Sequence, residues 1–305
     1  MSVDVTAIVP VRNRRDRMLR CLDALLAQDH PSYEILVLDN GSTDGTGEAC
    51  VERAAGARVP VRVVRIEGTL GYIRNRGAEL AAGRYVAFTD SDCMPRPSWL
   101  STAVRALDED PGLGFVCGRT VAEEEPVELW ARTVQVPRFS YRFESCNVVF
   151  RAEALRASAG FDEVIGDGWE DTAAGFDLLT RGWRVAFLPD AVVVHDVTYP
   201  GFWWHVRREQ RQQNLARVVR RYPEVRRRLL FARVFFHMRS AACLLALGAL
   251  AAGRRRRRAL LAVLPYALFL LRVRHPREMA RLLVFDLALH VAMLRGSARY
   301  RSLLI

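Results

Sequence analysis

Within its first ninety residues the chain repeats one pattern: an apolar run, a polar loop, an amphipathic stretch, then another apolar run. The apolar runs are residues 5–10, 34–38, 61–66 and 85–88. They are short and rich in β-branched or aromatic residues, as buried strands are. After the first run, Met18, Leu19, Leu22, Leu25 and Leu26 recur at helical spacing until Asp29-His30-Pro31 closes the stretch. Further helices are predicted to about residue 54 and over residues 72–82, the second stopped by Gly83. Strands joined by crossover helices build a parallel sheet, so the chain reads as an α/β fold.

Thr89-Asp90-Ser91-Asp92 comes directly after the fourth run. Open α/β sheets bind ligands beyond the carboxyl ends of their strands. A hard divalent cation takes one or two carboxylates together with substrate phosphates. Asp90 and Asp92 meet both needs, although the same tetrapeptide also suits a solvated acidic turn. Beyond it, a helix over residues 99–107 and a strand over 115–118 are predicted, and Glu123-Glu124-Glu125 reads as a solvated loop. Residues 126–142 have little periodicity.

Several motifs occur in a fixed order: Val9-Pro10-Val11-Arg12-Asn13-Arg14, Asp39-Asn40-Gly41-Ser42-Thr43-Asp44-Gly45, Arg74-Asn75-Arg76-Gly77, Thr89-Asp90-Ser91-Asp92, Gly160-Phe161-Asp162, Trp169-Glu170-Asp171, Pro189-Asp190-Ala191 and His195. In order and spacing this resembles family-2 glycosyltransferases over about residues 5–200. The resemblance implies a GT-A fold, a mostly parallel sheet flanked by helices, that binds a nucleotide-diphospho-sugar. It implies that Pro10, Arg12, Asp39, Arg74, Asp90 and Asp92 contact the donor, with Asp39 reading the base. It also implies that Asp92 holds Mg²⁺ or Mn²⁺, with His195 as a second ligand. Inverting transfer needs a carboxylate to deprotonate the acceptor hydroxyl. The resemblance gives that role to Asp171, with Glu170 beside it, and places Asn147, Trp169 and Trp203 on the acceptor side.

Each of these residues also has a plainer reading. Asp39 suits an Asx turn before Gly41, and Arg74 suits an ion pair with a carboxylate. Glu170 and Asp171 suit the first turn of a helix, His195 suits a structural role, and Asp44 suits a helix N-cap. Gly68 and Gly71 precede a helix whose N–H groups would attract phosphate. The sequence departs from the family at Ala173 and Asp177, where an Asp and an Arg are usual, which puts acceptor-side contacts in question.

The character changes after Pro200. Residues 201–305 hold 23 Arg against 4 acidic residues, whereas residues 1–200 hold 22 against 30. A basic end of this kind implies an anionic partner. Residues 201–228 read as a basic, aromatic linker whose helix over 206–221 is charged on most faces. Residues 229–305 contain three apolar runs, each shorter than the roughly 20 residues a membrane span needs, and Arg254–Arg258 separates the first two. Extending the first run back to Val234 makes a span only by including His237 and Arg239. The segment therefore reads as an interfacial seat on an anionic membrane surface. No nucleic-acid motif accompanies the arginines, and no nucleic-acid partner is expected. The six scattered Cys suggest buried thiols in a reducing compartment. The first residues lack a signal-peptide pattern.

The chain thus reads as three parts: a catalytic domain over 1–200, the linker, and a helical membrane-associated segment. Its expected place is the cytoplasmic face of the cell membrane. Its expected acceptor is a glycan, a lipid-linked or a natural-product acceptor, as in cell-envelope polysaccharide synthesis. The rivals are a polyprenyl-phosphate sugar synthase and a non-catalytic sugar-nucleotide-binding scaffold.

Overall fold

Strands β1 (Val5–Val11) and β2 (Tyr33–Asp39) are buried at every position, which is why they read as continuous runs rather than alternating ones. The polar groups along them before Asp39 are satisfied: Thr6 donates to Glu34 at 2.8 Å and the Tyr33 hydroxyl donates to the Leu25 carbonyl at 2.9 Å. The protein is described by a computed structural model covering residues 3–253, 256–273 and 275–305. The chain divides after Tyr199 into two units.

The first unit is built on β1, β2, β3 (Val61–Arg65), β4 (Tyr85–Phe88), β5 (Cys93–Pro95), β6 (Leu113–Ala122), β7 (Val148–Arg151) and β8 (Arg184–His195). The helices between them are α1 (Arg15–Leu26), α2 (Thr46–Ala54), α3 (Leu70–Leu80), α4 (Trp99–Glu109), α5 (Ala152–Ala157) and α6 (Glu170–Thr180). The sheet order is β3-β2-β1-β4-β7-β6-β8-β5. Contacts β1–β2, β1–β4, β2–β3 and β6–β8 are parallel, while β7 runs antiparallel to both β4 and β6, and β5 to β8. The sheet is thus mixed: β1 to β4 form one parallel part within the first ninety residues, and β6 and β8 pair parallel in the other. The crevice rule for open sheets points to the carboxyl ends of β1 and β4, where chain order reverses.

Where β6 meets β8, the register jumps from Gly118 opposite Leu188 to Arg119 opposite Val192. Pro189, Asp190 and Ala191 are the residues expelled from the ladder, and a bulge of this kind re-aims the rest of its strand. Downstream of it, His195 lies opposite Cys93 on β5.

The second unit is helical: α7 (Phe202–Arg208), a 3₁₀ stretch Glu209–Asn214, α8 (Leu215–Arg221), α9 (Glu224–Leu229), α10 (Met238–Gly253), a 3₁₀ stretch Arg257–Val263, α11 (Leu264–Leu271) and α12 (Pro276–Tyr300). The helix predicted over 206–221 is therefore broken into three pieces. Its second half is not charged on most faces, because Leu215, Ala216, Val218 and Val219 are buried. α12 comes so close to the first 3₁₀ stretch that a Cβ at Gly296 would lie 2.2 Å from the Gln213 carbonyl oxygen. The third apolar run, residues 282–294, lies in α12 and is amphipathic: Asp286 is fully buried and accepts from Arg239 Nε and Tyr266 Oη, both at 3.0 Å. Among the described residues no helix is long and apolar enough to cross a membrane. The span considered from Val234 is not formed, since α10 starts at Met238. Arg254 and Arg255 of the arginine cluster lie outside the described residues.

Candidate functional site

The loops after β1 and β2 are tied together. Asn13, in the left-handed conformation at φ 50° that Asn tolerates, donates its N–H to Ser42 Oγ and accepts from the Thr43 N–H. Asp39 is buried at the end of β2, and its Oδ1 accepts from the Ser42 N–H at 2.9 Å. The Asx turn is therefore formed, and the second oxygen lies over Gly47, where a Cβ would come within 3.0 Å. Pro10 is buried in β1 and Arg12 is exposed beyond it. Asp44 accepts from the Thr46 N–H, but Gly45 occupies the N-cap position of α2, one residue later than predicted.

Asp92 is almost completely buried and is surrounded by cationic groups. Its Oδ2 accepts from Arg14 at 2.7 Å and lies 3.3 Å from the Arg132 guanidinium. Its Oδ1 is buried with no hydrogen-bond partner and faces His195 Nε2 at 3.7 Å. Burial alone would raise this carboxyl. His195, Arg14 and Arg132 outweigh burial and hold it below the usual carboxylate range. His195 Nδ1 lies 2.7 Å from the Asp196 carbonyl oxygen. A carbonyl accepts only, so Nδ1 carries a proton there, and Nε2 is the ring nitrogen left facing Asp92 Oδ1. An orphaned carboxylate oxygen opposite an imidazole nitrogen fits a divalent cation, which would displace any proton on that nitrogen. Cys93 completes the cluster of potential ligands. Burial pushes its thiol far up, and a thiol that stays protonated is no ligand for a hard cation.

A second carboxylate centre lies at the start of α6. Arg74, expected to face phosphate, is 3% exposed and bonds Glu170 Oε1 at 2.5 Å and Asp90 Oδ1 at 3.2 Å. Both terminal nitrogens are committed to carboxylates at the end of β4 and the start of α6, and the remaining Nε is buried without a partner, so Arg74 positions carboxylates. Gly71, expected at a phosphate cradle, serves packing: a Cβ there would lie 2.6 Å from the Asp162 carbonyl oxygen. Burial, then Asp171, push the Glu170 carboxyl up against the pull of Arg74. Glu170 Oε2 is buried without a partner. Asp171 accepts from the Ser145 N–H at 3.2 Å and the Thr172 N–H at 2.7 Å. Burial raises its pKa to about 6, against Arg74 and with Glu144 adding to the rise.

Trp169, just before α6, holds φ at 81°, a conformation that costs a bulky residue about 1–3 kcal/mol and concentrates at functional sites. Asn147 is not available to an acceptor. It is buried, accepts from Trp99 Nε1 at 2.8 Å, and donates to the carbonyls of Arg119 and Ala191. The departure at Asp177 has a local use, since its carboxylate accepts from the Ala159 N–H and pairs with Arg181. Trp203 belongs to the second unit, where it is exposed on α7. Sequence reasoning missed Arg14, Arg132 and Ser145. Arg132 lies in the aperiodic stretch, and its backbone pairs with Thr198, just past β8, which carries its guanidinium to Asp92. Only Arg14 left a signal, as a basic residue in the loop after β1.

The family profile described as glycosyl transferase family 2 matches residues 6–157. The pre-mycofactocin glycosyltransferase of Mycobacterium tuberculosis is 30% identical over 213 residues, 63% of this chain and 43% of that protein. Glycosyltransferase AglE of Haloferax volcanii is 36% identical over 106 residues, 34% of this chain and 35% of that protein. The chain thus spans less than half the length of these two relatives. The mannosyltransferase PcManGT of Pyrobaculum calidifontis, solved with GDP-Man and Mn²⁺, superposes with a TM-score of 0.71 at 23% identity, covering 97% of this chain and 87% of that one. Residues 1–349 of S. aureus TarS with UDP-GlcNAc superpose at 0.54 and 18% identity, covering 98% and 93%. The structural likeness shows a shared fold, and the profile match over residues 6–157 assigns the chain to glycosyltransferase family 2.

Proposed function

We propose that this chain transfers a sugar, with inversion, from a nucleotide-diphospho-sugar to a hydroxyl of a glycan, lipid-linked or natural-product acceptor. The observation that carries the reading is the buried Asp92 Oδ1, without a hydrogen-bond partner and 3.7 Å from His195 Nε2. Asp92 and His195 would hold the cation, and a nitrogen beside an oxygen suits Mn²⁺ better than Mg²⁺. Bound there, the cation supplies positive charge against the departing nucleoside diphosphate. Arg14 and Arg132 add fixed positive charge at the same place. Asp39 accepts from the base with its second oxygen, and Asp90 faces the ribose. Asp171, its pKa raised toward neutrality, takes the acceptor's proton, while Arg74 holds Glu170 and keeps the pair apart in role. The donor-bound relatives, one with GDP-Man and Mn²⁺ and one with UDP-GlcNAc, support this donor class without choosing the base.

The test is thermal unfolding of the full chain with GDP- and UDP-sugars, with and without Mn²⁺. A donor that binds the folded state stabilises it by about 2.7 kcal/mol at one hundred times its Kd. The expected outcome is one base class that raises Tm only with the cation. No shift with any donor and Mn²⁺ would overturn the reading.

A further inference from the structure

The helices α10 and α11 pack inside out. α10 buries Ala242, Cys243, Ala246 and Ala249, and the first three form the small core of this hairpin with Tyr266. Its turn is equally close, since a Cβ at Gly253 would meet Leu260 at 2.5 Å. Phe269 and Leu270 pack partly against that core, but six leucines point the other way: Leu245, Leu250, Leu261, Leu264, Leu268 and Leu271 are each more than half exposed. A helix pair folded in water puts its largest apolar groups inside. Small residues between helices and leucines outside are the pattern of helices that face lipid. The hairpin is also held in place, because Asp286 on α12 binds both Arg239 of α10 and Tyr266 of α11.

Charge identifies what covers this face. Residues 225–277 contain thirteen Arg and no acidic residue. Arg256, Arg257 and Arg258 are exposed at the turn between the two helices. A second copy meeting this face through a two-fold axis would set arginines against arginines. An anionic lipid surface would oppose each of them with phosphate.

We propose that the α10–α11 hairpin seats this chain in an anionic bilayer, its leucines entering about 5–10 Å to the level of the upper acyl chains and its arginines remaining among the headgroups. α10 has 16 residues and α11 has 8, both short of the roughly 20 a span requires, so the hairpin lies in the interface without crossing. This seat is independent of the sugar-transfer reading and is tested without a donor.

The experiment is flotation of the full-length chain with vesicles of phosphatidylcholine alone and with phosphatidylglycerol added, at low and high salt. Two triple variants accompany it, Arg256→Gln/Arg257→Gln/Arg258→Gln and Leu261→Gln/Leu264→Gln/Leu268→Gln. All six side chains are at least partly exposed, so the Tm of each variant should match the parent. The parent should float with phosphatidylglycerol vesicles and be released by salt. The arginine variant should bind about 10²-fold more weakly at low salt and respond less to salt. The leucine variant should fail to bind at either salt. A parent chain that stays behind overturns the proposal, as does a leucine variant that floats like the parent. A lipid-independent dimer that the leucine changes dissociate would assign the face to a second copy and overturn it too. Attachment that survives alkaline carbonate would mean a span in place of an interfacial seat.

Discussion

Asp92 and the Glu170–Asp171 pair are carboxylates sunk into the same unit, yet their surroundings push them in opposite directions. Burial disfavours the charged form at both. At Asp92, His195, Arg14 and Arg132 converge on one carboxylate and reverse the effect. At the other centre one cation, Arg74, is shared among Glu170, Asp90 and Asp171, and the two carboxyls stay raised. The ratio of cations to carboxylates therefore separates a group that stays an anion, as a ligand must, from one that exchanges a proton, as a base must.

The strongest way to break this contrast is Asp171→Asn, which keeps the shape and removes the proposed proton acceptor. Transfer should fall by roughly 10²–10⁴-fold while donor affinity, measured by titration calorimetry, stays the same. Near-normal transfer would move the base elsewhere, first to Glu170. Arg74→Met attacks the shared cation. It leaves Glu170 buried without compensation and should cost about 3–5 kcal/mol of stability in urea unfolding; a loss below about 1 kcal/mol would mean that Glu170 is neutral in the folded protein.

Asp92→Asn supplies an oxygen without charge. Donor affinity with Mn²⁺ should drop about 10–100-fold, and chelation of Mn²⁺ by EDTA should then make little further difference. An unchanged Mn²⁺ response would remove Asp92 from the metal site. The smallest effect is a pH displacement. A base works only when ionised, so transfer should rise with pH through about 6 and level off above it. Glu144→Gln removes a charge that helps raise Asp171, so the rising limb should move to lower pH. A limb that does not move would mean that Glu144 does not reach the base. The sign for stability is opposite. Because Asp171 is raised from its ordinary 3.8 to about 6, its contribution declines as pH rises across that window.

Most of the first unit's frame was legible in the sequence. β1 to β4 and the helices between them obey periodicities set by burial, a local consequence of composition. The six cysteines, read as free buried thiols, are all free and buried. The antiparallel setting of β7 between β4 and β6 was not legible in the sequence. Strand direction depends on the path of the connection rather than on the residues of the strand. Arg74 illustrates the same limit in the site: two readings were open, phosphate or ion pair, and the carboxylate it meets lies 96 residues away.

Sequence alone was enough for the α/β class, the family, the carboxylates at the end of β4 and at the start of α6, and the basic apolar character of the second unit. Each depends on residues near one another in the chain, where spacing translates directly into a face or an end. Folding in three dimensions chose which cations those carboxylates receive. It took Asn147 into a buried hydrogen-bond network and brought Arg132 from an aperiodic stretch to Asp92. Through the bulge at residues 189–191 it set His195 opposite Cys93. It also turned the leucines of α10 and α11 outward. Hydrophobicity says only that such residues seek cover, and which of them find it within the chain depends on contacts between distant segments.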